Sequence, residues 1–337
     1  MQCLAQSVNL CNMAAMKVGF LAGANPHALT IARHFSSLGV DCFGIGRGPV
    51  KPGPLFIAPD GYRYYQAHIG KQNGLVFEVL DLEQPSILIN LCAQGEGAAS
   101  FGPESWRFYQ TNCAYLAQLV ETLRKREWLQ RFIHIGTSEL YGSVTEPAHE
   151  DSPVIATSPY SISKAAFDAH LQVMRLVHGF PMNIVRPSNC ITQGMQLHRI
   201  APRAAISAVY GQRLKLQGGG AAQKSFLDTE DLAKGLLAVI EKGAVGETYN
   251  CGPENPMSIR DLVAMTIELT GAQWDDVVDE APARVGEDSM YWLDSSKLRT
   301  LGWKPTVPIR QAVHRIVEWA RAYPDVEKMD WQYRVTP

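Results

Sequence analysis

The sequence predicts an α/β protein: a doubly wound parallel sheet with a smaller, discontinuous C-terminal α/β lobe. Three observations carry this. Short apolar runs alternate with helical patterns through the first half of the chain. Strands spaced by helices require right-handed crossovers, and so a parallel sheet covered on both faces. Beyond residue 186 the regularity weakens, yet a helical stretch at 231–241 and a strand-like stretch at 248–251 return to the core pattern.

Taken in order, residues 1–16 read as a loosely ordered extension, with Met13 and Met16 as alternative starts. Its first fifteen residues contain no Lys or Arg, and so lack the basic opening of a signal peptide. KVGFLA at 17–22 is a strand and 26–38 a helix. VDCFGI at 40–45 is a second strand, followed by a Pro/Gly-rich loop at 48–59. A helix at 73–82 precedes the buried strand SILINLC at 86–92. A long amphipathic helix spans 106–126, then come the strand RFIHIG at 131–136, a helix at 160–178 and a strand at 182–186. This assigns 17–186 plus about 227–251 to the main sheet domain, and 187–226 with 252–337 to the second lobe.

Composition narrows the partners. The 337 residues are 46% apolar and 19% charged, enough for a folded core, and the formal net charge of −2 gives no electrostatic footprint for nucleic acid or an anionic membrane. No apolar run approaches the roughly 20 residues that span a bilayer. The seven cysteines are scattered, with no C-x-x-C pair and no histidine at metal-ligand spacing. They read as reduced thiols in a cytoplasmic protein that holds no metal.

The first strand–turn–helix is where a dinucleotide's pyrophosphate rests in a Rossmann-type fold. The turn reads Ala22-Gly23-Ala24-Asn25-Pro26-His27-Ala28-Leu29. Only Gly23 meets a G-x-x-G-x-x-G spacing; Pro26 and Leu29 occupy the other two positions. A plain strand-to-helix turn and a cofactor cradle made by Gly23, Asn25 and Pro26 both describe it. After the second strand, an acid would hold the ribose 2′-OH of NAD. Gly44-Ile45-Gly46-Arg47 has no acid; Arg47 reads either as a solvated loop cation or as the partner of a 2′-phosphate, which slightly favours NADP over NAD.

Tyr160-Ser161-Ile162-Ser163-Lys164 puts a phenol and an amine on one helix face, opened by Ser158-Pro159. A nearby lysine cation favours the phenolate and makes the tyrosine a base near neutral pH. The same spacing also arises as a surface pair. What singles it out is the preceding strand, which runs into Thr137-Ser138-Glu139, placing two hydroxyls and a carboxylate at the carboxyl end of a parallel strand. His134 alternates with apolar neighbours and reads as a satisfied structural histidine.

The segments HIGTSELYGSV, SPYSISKAAFD, IVRPSNC, KSFLDTEDLAKGL, GETYNCG and LDSSKLRTLGWKP together resemble the extended short-chain dehydrogenase/reductases of the epimerase/dehydratase family. Within it the chain is most similar to the nucleoside-diphosphate-hexose 4,6-dehydratases of the dTDP-glucose and GDP-mannose type, over about residues 17–322. The resemblance implies that Tyr160 takes the proton of the sugar 4-OH while hydride leaves C4 for a nicotinamide. Lys164 binds the nicotinamide ribose, Thr137 holds the 4-oxygen, Glu139 removes the C5 proton, and water leaves from C6 before hydride returns there. Ser138 stands where glucose-type dehydratases carry Asp and mannose-type ones carry Ser, so it would relay a proton from Glu139 or water. Cys92 and Ala93 would line the cofactor.

On the substrate side the resemblance implies diphosphate contacts from Asn189, Lys224 and Arg284, with Arg199 at the nucleobase pocket. Lys224 replaces an arginine fork with a point charge. The same Tyr160/Lys164 oxidation also serves epimerases, C4-oxidases and decarboxylases, and a non-catalytic nucleotide-binding regulator is a reading from another class. Homologues of this type dimerise through a four-helix bundle, here formed by 106–126 and 160–178.

Overall fold

The computed structural model describes residues 16–49, 57–95, 97–283, 286, 288–323, 325 and 335. Its first half runs β1 (Lys17–Leu21), α1 (Pro26–Ser37), β2 (Asp41–Gly46), β3 (Arg63–Gln66), α2 (Asn73–Glu83), β4 (Ile87–Asn90), α3 (Trp106–Tyr109), α4 (Tyr115–Leu123), β5 (Arg131–Ile135), α5 (Pro159–His178) and β6 (Met182–Pro187). Then follow β7 (Asn189–Ile191), α6 (Ile200–Tyr210), β8 (Leu214–Gln217), β9 (Gln223–Lys224), β10 (Phe226–Asp228), α7 (Thr229–Lys242) and β11 (Thr248–Cys251). The last elements are β12 (Met257–Ser258), α8 (Ile259–Thr270), α9 (Trp274–Val277), β13 (Val278–Ala281), β14 (Met290–Tyr291), α10 (Ser296–Thr300) and α11 (Ile309–Ala322).

Seven strands form one sheet in the order β3-β2-β1-β4-β5-β6-β11, every pair parallel. Each face is buried, as the near-continuous apolar strands demand. One face packs Val18, Phe20 and Ile89 against Ala28 and Ile31 of α1 and Leu232 and Leu236 of α7. The other packs Leu21, Leu88 and Phe132 against Val79 of α2, Leu119 of α4 and Phe167 of α5. Strand order reverses between β1 and β4, and the crevice beyond their carboxyl ends is the ligand position of such sheets. No helix among the described residues is long and apolar enough to cross a membrane.

Local chemistry explains where the elements stop. Helix α5 opens on a capping box: Ser158 accepts from the Ser161 N–H, the Ser161 hydroxyl accepts from the Ser158 N–H, and Pro159 takes the first helical position. It ends on Gly179 in the left-handed region at φ 66°. The expected helix over 106–126 is interrupted: a π-turn at Gln110–Ala114 separates α3 from α4, and the helix ends at Leu123. Asn112 lies in this π-turn, and its buried carboxamide bonds to partners outside the helix. Strand β3 was not anticipated, because RYYQ carries no apolar run and lies half-buried at the sheet edge.

The remaining strands make three small sheets, β10-β7, β12-β9-β14 and β13-β8. Helices α6, α8 and α11 share a core of Ala205, Ile206, Leu262, Val313, Ile316 and Val317.

Candidate active site

Strand β5 delivers the first group of residues. After Ile135 the chain turns through Gly136 and Thr137, whose Oγ1 caps the short turn Ser138–Tyr141 by accepting from the Glu139 N–H at 3.2 Å. Thr137 and Ser138 are buried, Glu139 is half-buried, and the turn packs against α5. A Cβ added to Gly97 would lie 3.1 Å from Glu139 Oε2, so the loop after β4 folds back over that carboxylate.

Helix α5 delivers the second group. Tyr160 packs its ring edge-to-face on Phe108, with centroids 6.4 Å apart and an interplanar angle of 79°. Lys164, one turn on, is 2% exposed and donates to the Ile135 carbonyl at 2.7 Å. Burial brings its pKa down to about 8, opposed by the Asp168 carboxylate and Cys92. Thr137, Ser138 and Glu139 therefore follow the carboxyl end of β5, where Lys164 reaches the Ile135 carbonyl, and α5, which also carries Tyr160, packs on their turn.

His134 is buried as expected, but it belongs to this site. Its Nε2 is 3.1 Å from Lys164 Nζ, and its Nδ1 receives the Asn90 Nδ2–H at 2.9 Å. Burial first, then the Lys164 and Arg186 cations, hold its pKa well below the usual range. Behind Lys164 lie Asp168 Oδ2 and Arg186 Nε at 3.0 Å, Arg186 Nη1 and Tyr141 Oη at 2.8 Å, and Tyr141 Oη and Asn250 Oδ1 at 3.0 Å. This chain joins α5, β6, β11 and the turn after β5. Asn112 completes the floor. It accepts from the Gln94 N–H at 2.7 Å and donates to the Gln94 carbonyl at 3.1 Å and to Ser163 Oγ at 2.9 Å. Sequence reasoning named none of Asp168, Arg186, Asn250 or Asn112; an apolar-looking helix interrupted by Asn112 was the signal available for the last.

On the cofactor side the backbone shifts the expected glycine register by one residue. The left-handed position of the turn is Ala22, at φ 61°, and the helix cap is Asn25, whose Oδ1 accepts the His27 N–H at 2.9 Å. Ala28, fully buried against the sheet, takes the third place, and the fingerprint reads Ala22, Asn25, Ala28. Gly23 serves a close crossing: a Cβ there would lie 2.4 Å from Gly44 Cα and 2.8 Å from the Tyr62 hydroxyl, which donates to the Gly23 carbonyl at 2.9 Å. Pro26 has no N–H and the His27 N–H is already capped, so the first turn of α1 offers few amides to a pyrophosphate. The nicotinamide end fits better. Cys92 is anchored through its N–H to Asn90 Oδ1 at 3.0 Å and lies in the fields of Lys164 and Arg47. Arg47 is exposed directly after β2, and Ala93 is exposed beside Cys92.

The expected substrate residues fall into different settings. Asn189 Oδ1 is buried with no hydrogen-bond partner among the described residues. Lys224 is buried with Nζ 4.2 Å from the Tyr291 ring centroid. Arg199 caps α6 and donates to the Gly95 carbonyl, and with burial it helps lower the His27 pKa to about 4. Arg284 lies outside the described residues, as do residues 1–15 of the expected N-terminal extension.

Residues 30–252 match the NAD dependent epimerase/dehydratase family. A dTDP-glucose 4,6-dehydratase of Streptomyces niveus is 30% identical over 262 residues, 77% of this chain and 76% of that protein. A trifunctional UDP-glucose 4,6-dehydratase/UDP-4-keto-6-deoxy-D-glucose 3,5-epimerase/UDP-4-keto-L-rhamnose-reductase of Arabidopsis thaliana is 27% identical over 276 residues, 81% of this chain. The chain spans 41% of the length of that plant relative. Among solved structures, the dTDP-glucose 4,6-dehydratase DesIV of Streptomyces venezuelae, with NAD and TYD bound, superposes with a TM-score of 0.84 at 24% identity, over 91% of this chain and 97% of that one. A Thermus thermophilus UDP-glucose 4-epimerase in complex with NAD gives 0.83 at 20% identity, over 91% and 99%. These two share the fold.

Proposed function

Because the chain belongs to the NAD-dependent epimerase/dehydratase family, we propose that it is a nucleotide-sugar 4,6-dehydratase. The observation that carries this is Glu139, a carboxylate covered by the Gly97 loop on a turn that packs against α5, the helix bearing Tyr160 and Lys164. Oxidation at C4 needs only a base and a hydride acceptor; a second carboxylate beside them suits removal of a second proton.

A nicotinamide held at Cys92, Tyr160 and Lys164 supplies reversible hydride transfer. Tyr160 takes the 4-OH proton, and Thr137 Oγ1 orients the same oxygen. A ketone at C4 acidifies the C5 proton, which Glu139 removes. The electron pair left at C5 forms the C5–C6 double bond as the 6-hydroxyl leaves, protonated from Glu139 through Ser138, and one water departs. The sugar regains hydride at C6 and a proton at C5, matched by the 4-OH proton that Tyr160 gives up, so oxidation at C4 and reduction at C6 cancel and water is lost with no net redox change. Asn189, Lys224 and Arg284 are assigned to the diphosphate and Arg199 to the nucleobase pocket, within the lobe of residues 187–226 and 252–337. Arg47, with no acid after β2, supports NADP; denaturing the purified protein and identifying the released nucleotide decides between NADP and NAD.

The test is mass analysis of nucleoside-diphosphate hexoses after incubation with the protein and either cofactor. Loss of water supports the dehydratase. Unchanged mass with an inverted centre identifies an epimerase, and loss of carbon dioxide a decarboxylase. Glu139→Gln is expected to reduce the cofactor while forming no dehydrated product. A Glu139→Gln variant that dehydrates at the full rate overturns the mechanism.

We also propose a homodimer. On α5 the exposed residues Ile162, Ala166, Ala169, Val173 and Leu176 follow a spacing of four and three, an apolar stripe of the kind that seats helix on helix. Trp106 and Tyr109 on neighbouring α3 are exposed as well.

A further inference from the structure

Lys164 has buried neighbours, His134 on β5 and Asp168 on α5, that the proposed reaction does not use. His134 is fully buried there, with Nε2 3.1 Å from Lys164 Nζ and 3.6 Å from Asp168 Oδ1. The ring's tautomer is dictated from its other side. The Cys92 N–H donates to Asn90 Oδ1 at 3.0 Å, which fixes that carboxamide and leaves Asn90 Nδ2 to donate to His134 Nδ1 at 2.9 Å. Nδ1 therefore accepts, and the single proton of the neutral ring sits on Nε2. That proton points at the lysine nitrogen. An ammonium has three donors and no lone pair, so it would face another donor; an amine can accept the Nε2–H.

We propose that His134 is a positioning residue for Lys164: its Nε2–H, locked by Asn90, donates to Lys164 Nζ in the amine state and turns to Asp168 Oδ1 when Lys164 takes up a proton. This rests on reading Tyr160 and Lys164 as the pair that handles the sugar 4-OH proton. Asp168 is equipped for its part. Its Oδ2 is held by Arg186 Nε at 3.0 Å, while its Oδ1 is buried with no hydrogen-bond partner among the described residues. A small rotation of the ring closes the remaining distance. The titratable and charged groups around Lys164 are His134 on β5, Tyr160 and Asp168 on α5, Cys92 after β4, and Arg186 on β6 behind Asp168. Burial, the largest influence, brings Lys164 to about 8, within reach of neutral pH, and keeps His134 neutral throughout. In the amine state His134 is satisfied by Lys164 and Asp168 Oδ1 waits unmet; when Lys164 takes up a proton, the same N–H satisfies Asp168.

The test is NMR of the full chain with labelled histidine and lysine, without substrate. His134 is expected to show a protonated Nε2 and an unprotonated Nδ1 across the neutral range. His134→Phe deletes the donor and raises the Lys164 titration by about one pH unit, a tenfold change in proton affinity. His134→Gln, which keeps an amide N–H at the Nε2 position, restores the low titration. A ring protonated on Nδ1, or a Lys164 titration that His134→Phe does not move, overturns the proposal. If His134→Phe does not fold, Asn90→Asp replaces the donor facing Nδ1 by an acceptor. It is expected to move the ring proton to Nδ1 and raise the Lys164 titration; an unchanged ring pattern overturns the proposal. No nucleotide sugar enters these spectra, so a failed turnover assay bears on the proposed activity alone.

Discussion

Tyr160→Phe removes one hydroxyl and leaves the ring on Phe108. Dehydration is expected to fall by about 10²–10⁴-fold, the usual contribution of a positioned base, with the melting temperature unchanged. Steady-state kinetics beside a thermal melt checks both. Asn112→Ala is a different kind of change, because it removes the buried hydrogen bonds to the Gln94 N–H, the Gln94 carbonyl and Ser163 Oγ. It is expected to cost about 1–3 kcal/mol, read by urea unfolding. The contrast shows what the sequence made legible. Tyr160 and Lys164 stand four apart on one helix, and Thr137 and Glu139 follow one strand, so pattern alone gathers each pair. His134 was read as structural because alternation reveals that a ring is buried, not what it faces. Asp168, Arg186, Tyr141 and Asn250 come from separate parts of the chain, and only the register of β5, β6 and β11 brings them together.

At the scale of elements, the edge strand β3 is held by charge more than by apolar packing. Glu83, at the end of α2, accepts from Arg63 Nε at 2.8 Å, Tyr65 Oη at 2.6 Å and Lys17 Nζ at 3.1 Å, while Arg63 also reaches Asp41 at 3.0 Å. The Arg63 hydrogen bond, with help from Tyr65 and Lys17, lowers the Glu83 pKa from 4.5 to about 2 despite burial. A carboxyl depressed in the fold stabilises above its unfolded pKa and loses that contribution as pH falls through the folded value. Glu83→Gln is therefore expected to cost on the order of 3 kcal/mol at neutral pH, with the difference from wild type closing between pH 4.5 and about 2. Denaturant melts at several pH values measure it. Ion pairs of this kind cross 20 to 66 residues, which is why RYYQ offered no strand signal. The π-turn is hidden for a similar reason: the carboxamide within it is bonded across the fold, while the apolar spacing on either side still reads as helix.

For the whole molecule, alternating apolar runs and helical patterns were enough to predict the doubly wound parallel sheet, because strands buried on both faces leave few other arrangements. The small-residue helix α6 was missed. Alanines contribute little to a hydrophobic pattern, yet Ala201, Ala204 and Ala205 are what let neighbouring helices pack closely. Assembly is tested at the same scale. Leu176 is 77% and Val177 67% exposed on α5; Leu176→Glu with Val177→Lys is expected to convert the proposed dimer to monomer in sedimentation velocity, leaving the melting curve of the subunit in place. One carboxamide also constrains traffic into the crevice. By holding Gln94 and Ser163 at once, Asn112 makes the loop after β4 and the helix bearing Tyr160 a single jaw. The same loop is tied to the start of α6 by the hydrogen bond from Arg199 to the Gly95 carbonyl, so one short segment links the sheet domain to the second lobe.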